Sequence, residues 1–269
     1  MKIFYLLRLS LLFSGLFVSL QSKGSSFPSG LTSCGRVIAS HAVDGATLAT
    51  TNGETIILAG VKAPELWPKD APYNSWPHAE AARAMLNSTT ASQPLELFCE
   101  GERSDYTGNL IAHIKLPNEV WLQSLMVTAG NVYVFPRRNH LIGIDALYQD
   151  EQKARLEKKG VWALNPRTLT KADGNVNTGW FHIVRGRILS ANSVRKTVFL
   201  NFGTDWRTDF TAEIPPQAVT AFKRSGRDPL ALEGQEVEVR GWVTWKGGPH
   251  IMLEGPGQIR TLEIQAINR

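Results

Sequence analysis

Few residues in this chain are suited to chemistry, and their spacing narrows the choice further. Two cysteines, Cys34 and Cys99, are too few for a four-cysteine zinc site. The histidines, at 41, 78, 113, 140, 182 and 250, follow no metal-ligand spacing. Carboxylates beside turn residues remain. Asp44 and Thr47 share the run Ala42-Val-Asp-Gly-Ala-Thr-Leu48, and Glu65 closes Ile57-Leu-Ala-Gly-Val-Lys-Ala-Pro-Glu65. Carboxylate oxygens suit hard cations such as calcium, and a free carboxylate can take the proton of an attacking water. The same residues also have plain uses, because aspartate opens turns with its own side chain and glutamate bonds neighbouring amides. Further on, Asp205, Arg207 and Asp209 alternate within Asn201-Phe-Gly-Thr-Asp-Trp-Arg-Thr-Asp-Phe210. Alternation places them on one face of a strand or its turn, where Arg207 can bridge both carboxylates, as a structural corner or as a ligand site.

The elements that must position these residues are mainly strands. With 43% hydrophobic and 20% charged residues over 269 positions, the chain has ample material for a core and too little charge for disorder. Apolar runs at 37–43 and 55–61, with Asn52-Gly53 between them, predict strands joined by a hairpin. The Pro-rich stretch from Lys62 to Pro77 leads into a helix over 78–90 with Ala81, Met85 and Leu86 on its apolar face. Strands follow at 95–99 and 110–116. A helix then starts at Asn118 as N-cap and stops at Gly130, and another runs from Asp145 to Lys159. Residues 166–178 are polar and turn-rich, which predicts a linker. Over 179–265 three strands, a short helix and two strands give the order of a five-stranded OB-type barrel. The expected architecture is mainly β with packed helices, in two domains at 34–165 and 179–265.

Residues 1–24 read as a leader. Lys2 and Arg8 precede an apolar run from Leu9 to Leu20, too short for a membrane anchor, and a cleavage point falls within 19–26. An exported chain with one cysteine pair suggests a Cys34–Cys99 disulfide, the alternative being two separate buried thiols. The net charge is +5, but residues 34–165 hold 12 basic against 14 acidic groups, a poor generic polyanion surface. The basic residues concentrate in the leader and the C-terminal third. There Arg185, Arg187, Arg195 and Lys196 with Trp242 and Trp245 have the character of oligonucleotide-binding OB folds. Trp67, Trp76, Tyr106 and Trp121 are further candidates for stacking on bases.

The two runs that carry Asp44 and Glu65, together with Asp105-Tyr-Thr-Gly-Asn109 and Glu151-Gln-Lys-Ala-Arg155…Gly160-Val-Trp162, closely resemble the staphylococcal-nuclease-like (thermonuclease) family. The resemblance covers about 34–165 and implies an OB barrel with helices packed on it. Active members hydrolyse phosphodiester bonds of DNA and RNA with one calcium ion. Carried over position by position, the first turn carboxylate is Asp44 and the turn threonine is Thr47. The second metal carboxylate falls at Ala46 and the third at Lys62, and the two phosphate-binding arginines fall at Ile57 and Asn109. Only Glu65, the general-base position, survives among the key groups.

A cation at Lys62 repels calcium, so the expectation is a site with no metal and an internal ion pair in its place. Without metal and arginines, useful cleavage is not expected. The sequence therefore points to an exported (periplasmic or secreted), non-enzymatic binding or scaffold module with no stable membrane anchor, and to a protein partner before a nucleic acid. The alternatives are a residual phosphodiesterase built on Glu65 and a nucleic-acid binder working through the C-terminal domain.

Overall fold

A computed structural model describes residues 24–262 apart from 102, 139, 164–167, 173–175 and 206. The leader lies outside the described residues, except for Gly24.

Strand β1 (Thr32–Ala42) buries Val37, Ala39 and Ala42. A register shift between Ala39 and His41 resets its alternation, so Ala42 still points inward. The strands β2 (Thr47–Thr50) and β3 (Thr55–Leu58) form the expected hairpin, with Gly53 at φ 83° in its turn. The chain continues through β4 (Val61–Lys62), helix α1 (Ala79–Thr90), β5 (Pro94–Cys99) and β6 (Leu110–Lys115). Next come α2 (Leu122–Thr128), β7 (Tyr133–Val134) and α3 (Ile144–Leu156). The order β1-β2-β3-β6-β5 returns to β1 as a closed barrel, antiparallel except for the β3–β6 pair. Its core is filled by Leu48, Ile56, Leu58, Leu95, Leu97 and Ile114 from the strands and by Leu86, Leu122 and Leu147 from the helices. A Cys34–Cys99 disulfide, with the Cα atoms 5.8 Å apart, ties the start of β1 to the end of β5.

Two helix expectations need correction. The face that α1 buries is Ala79, Ala82, Leu86 and Thr90, and Ala81 is exposed, because the 3.6-residue period is phased by the contact with β1. Asn118 is not the cap of α2: its side chain accepts from Val120 N in a preceding turn, and Trp121 takes the N-cap position.

The C-terminal region adds β8 (Leu169–Lys171), β9 (Phe181–Arg187), β10 (Ser190–Val194), β11 (Thr197–Asn201) and β12 (Thr211–Ile214). Helix α4 (Pro216–Arg224), β13 (Glu236–Trp245), β14 (Pro249–Met252) and β15 (Ile259–Thr261) follow. The stretch expected as a linker thus contains β8, whose three residues pair in parallel with β9, a partner that local composition does not reveal.

The sheet order is β10-β11-β12-β14-β13-β9-β8, with β15 on β13. It repeats the first barrel's strand order, including one parallel pair, β12 with β14. The described pairings join these strands in one sheet and do not by themselves record a closed barrel. At Ile188 and Leu189 the chain changes partners: Ile188 N bonds Gln235 O and Leu189 N bonds Asn201 O, so β9 lies against β13 and β10 against β11.

Strand β13 joins the two halves. Its odd residues Val237, Val239 and Val243 enter the C-terminal core, while Glu238 and Arg240 on the opposite face are buried against the first barrel's helices. A smaller cluster of Tyr133, Ala154, Val161, Trp162, Phe181 and Ile183 fills the same seam. Beside it, Gly130 and Gly160 pack backbone against backbone. Both have positive φ (71° and 53°), and a Cβ at Gly160 would stand 2.1 Å from Gly130 O. Among the described residues no helix is long and apolar enough to cross a membrane.

Candidate functional site

The carboxylate turn lies between β1 and β2. Asp44 Oδ1 accepts from Ala46 N at 2.7 Å and its Oδ2 accepts from the Thr47 hydroxyl at 3.2 Å, the self-capping typical of aspartate in a turn. Gly45 sits under Ala82 and Ala63, where a Cβ would come within 2.7 Å and 3.2 Å of their Cβ atoms. That close approach brings the turn against the segment holding Lys62, Ala63 and Glu65. Ala46 is buried and contributes a methyl group. On β3, Ile57 pairs with Thr47 on one side and Ile111 on the other. Asn109, just before β6, donates to Asp105 Oδ2 at 3.1 Å and to Thr107 Oγ1 at 2.8 Å. Burial alone would raise the Asp105 carboxyl, but the hydrogen bonds from Thr107 and Asn109 hold it below its ordinary value.

Lys62, at the end of β4, places its ammonium 2.5 Å from Glu65 Oε1, with side chains 16% and 21% exposed. Both are largely buried, and residues of the C-terminal region stand over the lysine. Lys62 Nζ lies 4.8 Å from the Trp242 ring and 5.6 Å from the Phe181 ring. Trp242 and Phe181 are cross-strand neighbours on β13 and β9. The Lys62 cation therefore has an anion on one side and aromatic faces on the other.

A family model for staphylococcal nuclease homologues matches residues 55–164. The first barrel is a staphylococcal-nuclease-like domain. No curated protein matches the chain. In this nuclease-like domain the positions of Asp44, Ala46, Thr47, Ile57, Lys62, Glu65 and Asn109 lie along the β1–β2 turn, β3, β4 and the approach to β6. Among the described residues no group of three or more His, Cys, Asp or Glu side chains is placed to hold a metal ion.

The remaining candidates scatter. Trp121 is 1% exposed in the nuclease-like core, packed against Phe27 and His113, so it is no stacking platform. Burial pushes the neighbouring His113 down to about 4, with His140 adding to the effect. Tyr106 stands fully in solvent. Trp67 and Trp76 join Tyr73 and Trp180 in a partly exposed aromatic patch with ring centres 5.6 to 6.4 Å apart. Asp205, Arg207 and Asp209 lie in the turn between β11 and β12, not on a strand. There the carboxylates accept backbone amides: Arg207 N on Asp205 and Asp205 N on Asp209. Trp245 is 68% exposed, and Arg185 is paired with Glu236 at 3.4 Å.

Sequence reasoning missed the polar cluster in the seam. Arg240, fully buried, reaches Glu151 Oε1 at 2.9 Å and Oε2 at 2.5 Å, Glu238 Oε2 at 3.2 Å and Val134 O at 2.7 Å. Arg155 reaches Glu238 at 2.7 Å and Glu151 at 3.0 Å, and Arg260 reaches Glu238 at 2.8 Å. Burial by itself would raise Glu238, but Arg240, Arg155 and Arg260 hold it down at about 2. Burial likewise opposes ionisation of Glu151, and Arg240 and Arg155 overcome it. The available signal was the adjacency of Glu151 and Arg155 on one helix face, four residues apart.

Proposed function

We propose that the chain is an exported nuclease-fold protein that has lost calcium-dependent phosphodiester cleavage and acts by binding, a protein partner being favoured over nucleic acid. One observation carries this reading: the Lys62–Glu65 pair lies beneath Trp242, so the surviving base position already holds a proton-bearing cation. The donor set does not fit calcium. Ala46 offers no oxygen, Lys62 brings a positive charge, and both Asp44 oxygens already accept hydrogen bonds from their own turn. Ile57 and Asn109 supply no fixed cation for the charge that develops on a phosphate in the transition state. Export is supported by the basic-then-apolar start of the sequence and by the Cys34–Cys99 disulfide. Nucleic acid is the lesser reading because Arg185 spends its charge on Glu236 and the nuclease-like domain is slightly acidic.

The test incubates the purified protein with single- and double-stranded DNA and RNA, first with calcium and then with chelator. No cleavage is expected. Chelator-sensitive cutting that disappears in Glu65→Gln would overturn the reading in favour of a working phosphodiesterase.

A further inference from the structure

Asp150, on α3, has a side chain with no solvent exposure. Its Oδ2 accepts from the Ser124 hydroxyl at 2.6 Å and from the backbone nitrogen of Ser25 at 3.0 Å. Its Oδ1 meets Lys153 Nζ at 3.1 Å, but that lysine side chain is 47% exposed and so compensates a buried charge weakly. The segment after Ser25 is fixed: the Phe27 ring packs 4.8 Å from Phe98 and 6.4 Å from Trp121, and Pro28 lies against Gly143. Before it, Gly24 is exposed, and the sequence Ser22-Lys23-Gly24 has small residues two apart after the apolar run, the pattern of a leader-peptide cleavage site.

We propose that maturation cuts the Gly24–Ser25 bond, and that the new Ser25 ammonium pairs with buried Asp150 to complete the fold. This rests on the export reading above. A leader-cleaving protease adds water across the amide: the Gly24 carbonyl carbon takes the hydroxyl and leaves as a carboxylate, and the Ser25 nitrogen takes up protons to become an ammonium. Where the uncut chain offers Asp150 one neutral N–H, the cut chain offers a charged donor with three, and a charge-assisted hydrogen bond is roughly twice as strong as a neutral one.

Two measurements test the proposal. Full-length chain is expressed in a secreting host and recovered for intact mass and N-terminal sequencing, with Ser25 expected as the first residue. Cleavage at another bond overturns the proposal alone, whereas an uncleaved leader overturns export as well. Separately, chains starting at Ser25 and at Gly24 are melted, each with Asp150 or Asp150→Asn. The extra glycine is expected to lower Tm by about 4 °C with Asp150 and by about 1 °C or less with Asn. Equal melting of the two wild-type chains overturns the ion pair, and this comparison stands even if Asp150→Asn does not fold.

Discussion

Two ion-paired regions meet the same strand, β13, and they are built to different standards. At the candidate site one lysine, Lys62, faces one glutamate, Glu65, both partly exposed, with Trp242 laid over the cation. In the seam, Arg155, Arg240 and Arg260 enclose Glu151 and Glu238, whose side chains are 0% and 3% exposed. A partly exposed pair is better screened by water than a dry one, while a dry cluster is costly to break because each partner left behind is an uncompensated charge. The difference teaches where the molecule depends on charge: at the seam along β13.

Breaking the seam has the largest expected effect. Arg240→Met leaves Glu151 and Glu238 buried with fewer partners and is expected to cost about 3–5 kcal/mol in urea unfolding. Adding Glu151→Leu to it is expected to recover part of that loss, and no recovery would mean that packing, not charge, dominates the seam.

Acid comes second. Glu238 is held at about 2 against an ordinary 4.5, so its contribution is fully present above about pH 4.5 and is lost as the pH falls through 2. The sign follows because the unfolded chain takes up the proton first. Stability of the wild type relative to Glu238→Gln is expected to decline by about 3 kcal/mol over that range, measured by denaturant titration at stepped pH.

At the site the effects shrink. Lys62→Met is expected to change stability by about 1 kcal/mol or less, and Trp242→Ala to cost about 1–2 kcal/mol, chiefly through lost packing. A loss at Lys62 as large as that at Arg240 would erase the contrast.

The candidate positions could be singled out in the sequence because they lie in short, ordered blocks: Asp44 in its turn, Lys62 and Glu65 in one nine-residue run. The barrel was readable from Asn52-Gly53 and the alternating strands. The seam was not. Glu238 and Arg240 alternate with Val237 and Val239, which reads as a strand with one solvated face, and the partner Glu151 is 89 positions from Arg240. Likewise β8 looks like linker until β9 supplies its hydrogen bonds, and Ala81 and Ala82 are equal candidates until β1 selects one.

On the proposed reading the Lys62 ammonium stands where an active nuclease-like site holds its divalent ion. Calcium titration of the purified protein by calorimetry tests it most directly. The prediction is heat no greater than dilution, in the wild type and in Glu65→Gln alike. Saturable binding with a stoichiometry of about one that disappears in Glu65→Gln would contradict it.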